Sequence, residues 1–215
     1  LAPLQPASLC YLVTGLNPES GSHAVPQDRE DLLAVLRASE RSLAEFPYFL
    51  YRYGHRGRRF SDADGAWLAT LPGLGAKEMQ RQVDWLGRVL SVRGMPRLLL
   101  ARHMDILAQE LPVGTAGQGE RRSLLNQNAV RLQNCMHSRL SREKVQACID
   151  QVQQTLERGG DFASQEAVTL LAAATVDHAE GLQGSVPSLL SWLTDPGRFP
   201  GAWVQAMHEV AERLG

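Results

Sequence analysis

The stretch Met79-Gln80-Arg81-Gln82-Val83-Asp84-Trp85-Leu86-Gly87-Arg88-Val89-Leu90-Ser91-Val92-Arg93-Gly94-Met95-Pro96-Arg97-Leu98-Leu99-Leu100-Ala101-Arg102-His103-Met104-Asp105-Ile106-Leu107-Ala108-Gln109-Glu110-Leu111 decides the fold class. Met79, Val83, Leu86 and Leu90 recur at i, i+4, i+7 and i+11, the spacing of one face of an α-helix. Gly94 closes that helix, since glycine tolerates the left-handed turn that ends one. Pro96 stands where the next helix opens, where a missing N–H costs nothing. Leu100, Met104, Leu107 and Leu111 form the second stripe.

The same signals repeat on both sides. Upstream, Asp28 suits an N-cap, with Asp31 favouring the positive helix end. Leu32, Leu36, Leu43 and Phe46 follow at helical spacing until Pro47 interrupts. A short segment, Tyr48 to Tyr53, leads to Gly54 and Gly57. Ser61 and Asp64 read as an S-x-x-D capping pattern for a helix through Trp67, Leu68 and Leu71, stopped by Pro72-Gly73. Downstream come stripes of Leu125, Ala129, Leu132 and Met136, then of Val145, Cys148, Val152 and Leu156 after a Ser141 cap. Gly159-Gly160 should stop the latter. Ser164 precedes Ala167, Leu171, Ala174 and His178. Pro187 opens a short helix through Leu190 and Trp192. Pro200 opens the last, with Trp203, Met207, Val210 and Leu214.

No alternating strand pattern or βαβ rhythm interrupts this series, and no regular repeat marks a solenoid. The expectation is a compact all-α bundle of eight or nine helices. Its expected organisation is a loop-rich lead over 1–27, a helical subdomain over 28–111, a linker over 112–119 and a second helical subdomain over 120–215. Trp67, Trp85, Leu86, Leu90, Leu100, Met104, Leu107, Leu132, Leu171, Trp203 and Met207 are the expected core.

Composition narrows the function classes. Of 215 residues, 44% are hydrophobic and 21% charged, which excludes a disordered chain and a polytopic membrane protein. Twenty-two basic and 23 acidic residues leave a net charge of -1, without the basic excess of a nucleic-acid binder. The apolar run Leu9 to Val13 is too short to span a bilayer. Cys10, Cys135 and Cys148 are three, and no C-x-x-C occurs, so reduced thiols and a cytoplasmic setting are expected. Only Lys77 and Lys144 are lysines, so arginine carries almost all the positive charge.

The densest polar feature is Tyr51-Arg52-Tyr53-Gly54-His55-Arg56-Gly57-Arg58-Arg59-Phe60. Guanidinium forks suit carboxylate or phosphate, and aromatic rings stack on flat groups. Tyr51, Arg52, Tyr53, His55, Arg56, Arg58 and Arg59 are therefore the candidate ligand- or partner-binding residues. The alternative is a turn whose arginines pair with Asp62, Asp64 or acids from elsewhere. His103 borders an apolar stripe and is the candidate cofactor ligand, for instance an axial ligand to haem. His137 and His208 carry less support.

Other chemistries lack their motifs. Asp177-His178-Ala179-Glu180 is the best metal candidate, yet E-x-x-H and H-E-x-x-H are absent, so no metal site is assigned. Gly114 to Gly119 precedes a helix near Glu120, but neither a preceding strand nor G-K-[ST] accompanies it. G-x-S-x-G is absent too.

One series of residues has a familiar order: Tyr53-Gly54, Arg56-Gly57, Asp64, Trp67-Leu68, Val83-Asp84-Trp85-Leu86, Val89-Leu90, Arg93-Gly94-Met95-Pro96 and Leu107. Over residues 48–111 it resembles the helical domain that precedes the cobalamin-binding domain in some bacterial regulatory proteins. That resemblance implies sensing or regulation. The cobalamin-binding domains themselves carry D-x-H-x-x-G on an α/β fold. Here Asp177 and His178 are adjacent, so cobalamin ligation is carried to no residue.

Two function classes follow. The first is a non-enzymatic regulatory or sensory helical module that binds a protein partner, with or without a small anionic or flat ligand. The second is a helical enzyme or carrier of haem, bilin or another tetrapyrrole, using His103 or the segment Tyr51 to Phe60. The missing catalytic motifs favour the first.

Overall fold

A computed structural model describes residues 23–155 and 163–215. Among them are ten α-helices and no strand. The helices are α1 Arg29–Glu45, α2 Tyr48–Tyr53, α3 His55–Thr70, α4 Ala76–Ser91, α5 Arg97–Glu110, α6 Ala116–Arg139, α7 Arg142–Thr155, α8 Ala163–Ala179, α9 Ser185–Leu193 and α10 Gly201–Leu214. A 3-10 turn, Leu71–Leu74, follows α3. The tenth helix is the short α2, read from sequence only as a segment. The expectations for Cys10, Leu9 to Val13, Leu156, Gly159-Gly160 and the His137 side chain lie outside the described residues.

Local signals account for most helix ends. The Asp28 carboxylate accepts from the N–H groups of Glu30 and Asp31, so it caps α1. Gly94, at φ 80°, sits in the turn between α4 and α5. The Ser141 hydroxyl accepts from Lys144 N at 3.2 Å and caps α7. Two local readings are corrected. Ser61 and Asp64 do not open a helix, because α3 already starts at His55 and runs through both. Residues 112–119 are not all loop: Thr115 Oγ1 accepts from Gln118 N, and Gln118 Oε1 accepts from Thr115 N. That reciprocal T-x-x-Q box starts α6 at Ala116.

The helices form two compact units. Unit 1 comprises the described residues up to Val83 together with Ala101–Val130, so the 112–119 stretch lies within it. In it α3 packs on α1 and on α2. Val35, Ala38, Ala66, Leu68, Met104, Leu107 and Leu125 are buried there. Arginine–carboxylate pairs surround this core. Glu110 accepts from Arg37 at 2.8 Å and from Arg41 at 2.6 Å. Arg121 reaches Asp31 at 2.7 Å, and Arg102 grips both oxygens of Glu45.

Unit 2 comprises Asp84–Leu100 and Arg131–Gly215. Its centre is α8, which packs against α7, α9 and α10. Ala167, Val168, Leu170, Leu171, Ala172, Ala173, Ala174 and Val176 of α8 are all buried, so this helix is covered on every side rather than along one stripe. At its end Asp177 is also buried. Its carboxylate accepts from Ser91 Oγ at 2.6 Å, Arg97 N at 2.9 Å and Arg97 Nε at 2.7 Å. It thereby satisfies an N–H in the first turn of α5 that no intrahelical carbonyl can reach. Nine of the expected core residues are buried. Trp85 is not: it is 48% exposed, and Leu90 is only half-buried. Residue 85 lies about 100° away from Leu86 around α4, off the stripe, and Leu90 falls in the last turn of that helix.

Candidate functional site

The corner between α2 and α3 carries the candidate binding residues. Pro47 starts α2 with φ -60°, and α2 ends one residue before Gly54. Gly54 adopts φ 56°, in the left-handed region, so the chain reverses at one residue and α3 begins at once. Gly57 lies inside α3 against α2. A Cβ there would stand 2.6 Å from the Phe49 carbonyl oxygen, so only glycine permits this approach.

The corner divides its residues into two groups. Arg52 and Tyr53 turn toward buried Tyr48. Arg52 donates to the Tyr48 hydroxyl, and its guanidinium lies 5.3 Å from the Tyr53 ring centroid and 5.8 Å from that of Tyr48. Burial pushes the Tyr48 phenol pKa up, so it stays neutral. Tyr51, His55, Arg56, Arg58 and Arg59 are exposed, Tyr51 by 65%. The Arg56 guanidinium lies 5.8 Å from the Phe60 ring centroid. Arg58 reaches Glu40 of α1 at 3.8 Å, an acid from another helix.

Beneath Arg58 the core-facing side of α3 carries one acid among small residues. Arg58, Asp62, Gly65, Ala66 and Ala69 follow one another at i, i+4, i+7, i+8 and i+11. Asp62 is only 5% exposed. Burial raises its pKa to about 6; the Ser39 hydroxyl and the Arg58 charge oppose that rise, and Glu40 adds to it. The Ser39 hydroxyl is itself fully buried and makes no hydrogen bond of good geometry. Sequence reading named Asp62 only as a surface partner for arginine. The small residues Gly65, Ala66 and Ala69 on its side of the helix were the signal that this side is buried.

His103 of α5 packs against the same face of α3, at Gly65. Its Nδ1 is 2.9 Å from Ser42 Oγ, and its Nε2 is buried without a hydrogen-bond partner among the described residues. Burial lowers its pKa to about 4, so the ring is neutral at neutral pH. The Nε2 edge abuts the backbone of Gly65, where a Cβ would stand 2.7 Å away. An axial metal requires a coordination position about 2 Å from the nitrogen. Gly65 occupies that side of the ring, so His103 as placed does not fit haem or another metallated tetrapyrrole.

The acidic residues at the end of α8 are held elsewhere. Asp177 is taken by Ser91 and Arg97, and Glu180 accepts from Arg97 Nη2 at 2.6 Å. Among the described residues no cluster of three His, Cys, Asp or Glu side chains is arranged for a metal ion. Cys135 and Cys148 are free thiols, the latter buried. No helix among the described residues is long and apolar enough to cross a membrane. No family model, curated protein or solved structure matches this chain.

Proposed function

We propose that the chain is a non-enzymatic helical module of regulatory type that docks an acidic protein partner on the α2–α3 corner. The observation that carries this reading is the exposure of Tyr51, His55, Arg56, Arg58 and Arg59 around the single-residue reversal at Gly54. Guanidinium groups meet carboxylates in bidentate fashion. Tyr51 adds a rigid ring with a polar tip, a side chain favoured at interfaces. The likeness of residues 48–111 to helical domains of regulatory proteins points the same way. The net charge of -1 lacks the basic excess of a nucleic-acid binder.

The test is fluorescence anisotropy with a labelled oligo-aspartate peptide carrying one tryptophan, at about 0.1 M salt. Replacing Arg56 and Arg59 by Ala should weaken binding roughly tenfold, because each exposed charge pair contributes up to about 1 kcal/mol. Circular dichroism checks that helix content is kept. Equal affinity of the folded double variant rejects the corner. Tighter binding of a labelled oligothymidylate than of the peptide rejects a protein partner.

A further inference from the structure

We infer that the acidic partner docks through an apolar side chain set close beside its carboxylates. Leu50 and Tyr51 of α2 take the apolar side chain, and Arg56 and Arg59 of α3 take the carboxylates. This deepens, and rests on, the reading of the corner as the docking surface.

The helix α2 is more apolar than its packing uses. The rings of Tyr48, Phe49 and Tyr53 gather at 6.2 to 6.5 Å between centroids, with Tyr48 buried and the other two half-buried. Leu50 and Tyr51 stay outside this cluster, Leu50 with 38% of its surface exposed and Tyr51 with 65%. One exposed apolar side chain is ordinary on a protein surface. Two in succession beside a basic cluster make a mixed surface, and tyrosine and arginine are the residues that interfaces enrich while lysine is depleted. Residues 47–61 hold no lysine.

The corner fixes the apolar and basic parts at short range. Gly54 N–H donates to the Leu50 carbonyl at 2.9 Å, so one helical turn, about 6 Å, separates these residues. From Gly54 to Arg56 the chain spans two residues, at most about 7 Å. The backbones of Leu50 and Arg56 therefore lie within about 13 Å, the length of about four residues of extended peptide. Gly57 locks the pair of helices in place: a Cβ there would stand 2.6 Å from the Phe49 carbonyl oxygen. Arg56 and Arg59, three apart on α3, are neighbours on its surface.

Charge complementarity sets the sign of the partner. Residues 47–61 include four arginines and one histidine and no acid. Glu40 of α1 already faces Arg58 at 3.8 Å, so Arg58 is not among the residues assigned to the partner. A purely acidic segment would meet the guanidinium groups but leave Leu50 and Tyr51 in water. A purely apolar one would leave the arginines unmatched. A segment with both covers the apolar pair and shields the ion pairs beside it from solvent, which strengthens them.

The experiment is fluorescence anisotropy at about 0.1 M salt with three labelled oligo-aspartate peptides of equal charge. The first carries one tryptophan within the aspartate run, and the second carries serine in its place. In the third the tryptophan is held off by about ten prolines, roughly 31 Å. The protein should bind the first about fivefold tighter or more than the second, and the third no better than the second. Leu50→Ser/Tyr51→Ser, with helix content unchanged, should bind the serine peptide as the parent does and lose the preference for tryptophan. Tyr51→Ser alone serves if the double variant does not fold. Equal binding of the tryptophan and serine peptides overturns the inference and leaves the docking reading standing. So does a tryptophan preference kept in the folded variant, and a proline-spaced peptide that binds as tightly as the first overturns the short spacing. Self-association of the parent that Tyr51→Ser abolishes, measured by sedimentation, assigns the patch to a second copy and overturns the inference as well. Absence of binding by all three peptides overturns the docking reading and the inference with it.

Discussion

His103 presses its Nε2 edge onto Gly65, so that a Cβ at residue 65 would lie 2.7 Å from the nitrogen and 3.3 Å from Val35 Cγ1. The contact joins side chains from α1 and α5 to the backbone of α3 within unit 1. It explains why the middle of α3 carries a glycine despite its low helix propensity.

Gly65→Ala should therefore destabilise the protein, although alanine is the better helix former. Overpacking costs about 1–3 kcal/mol, which outweighs the propensity gain of about 1 kcal/mol at the upper end of that range. A lower urea midpoint with an unchanged slope is expected. A raised midpoint would show that the His103 ring moves aside freely.

The buried imidazole makes stability depend on acid. Its pKa falls from 6.5 to about 4 on folding, so the unfolded chain binds the proton more readily between those values. Its contribution is present above pH 6.5 and is lost as pH falls toward about 4. At about 1.4 kcal/mol per pKa unit the full loss is about 3 kcal/mol. His103→Gln should lose less stability than the parent as pH falls from about 6.5 to about 4, measured as urea midpoints at several pH values. An equal change in parent and variant assigns the acid sensitivity to other groups.

Asp62 works in the opposite sense. Its pKa rises from 3.8 to about 6 on folding, so its protonated form favours the fold. That contribution is present below pH 3.8 and is lost as pH rises through about 6. Asp62→Asn should thus be more stable than the parent at about pH 8, by up to about 3 kcal/mol. The Asp62 and His103 slopes offset each other between about pH 4 and 6 in the parent. A midpoint lower than the parent's at about pH 8 would mean that the Asp62 charge makes a net favourable contribution.

In unit 2, Asp177→Ala should cost about 3–5 kcal/mol, because it takes from the half-buried Arg97 its buried partner and leaves two further donors unpaired. Glu180→Ala removes a more exposed partner of the same arginine and should cost about 1 kcal/mol or less. Thermal or urea unfolding of both variants measures the difference. Equal costs would show that Asp177 is not the anchor of this network.

The sequence by itself determined the helices and most of their limits. The Asp28 cap, the Gly94 turn before Pro96 and the Pro200 start depend on a few adjacent residues, and each is where its local chemistry put it. The Thr115–Gln118 box was equally local, though its glycine-rich setting read as linker. The candidate corner was legible as a cluster because its residues are consecutive. Its division into Arg52 on Tyr48 and Arg58 on Glu40 was not, since Glu40 is 18 positions away from Arg58. Only tertiary structure decided that Asp62 is buried, that His103 meets Gly65 and that α8 is covered on every side. Helix formation is set by hydrogen bonds and rotamers within about one turn. Burial is set by which other helix arrives, and that partner is remote in the chain.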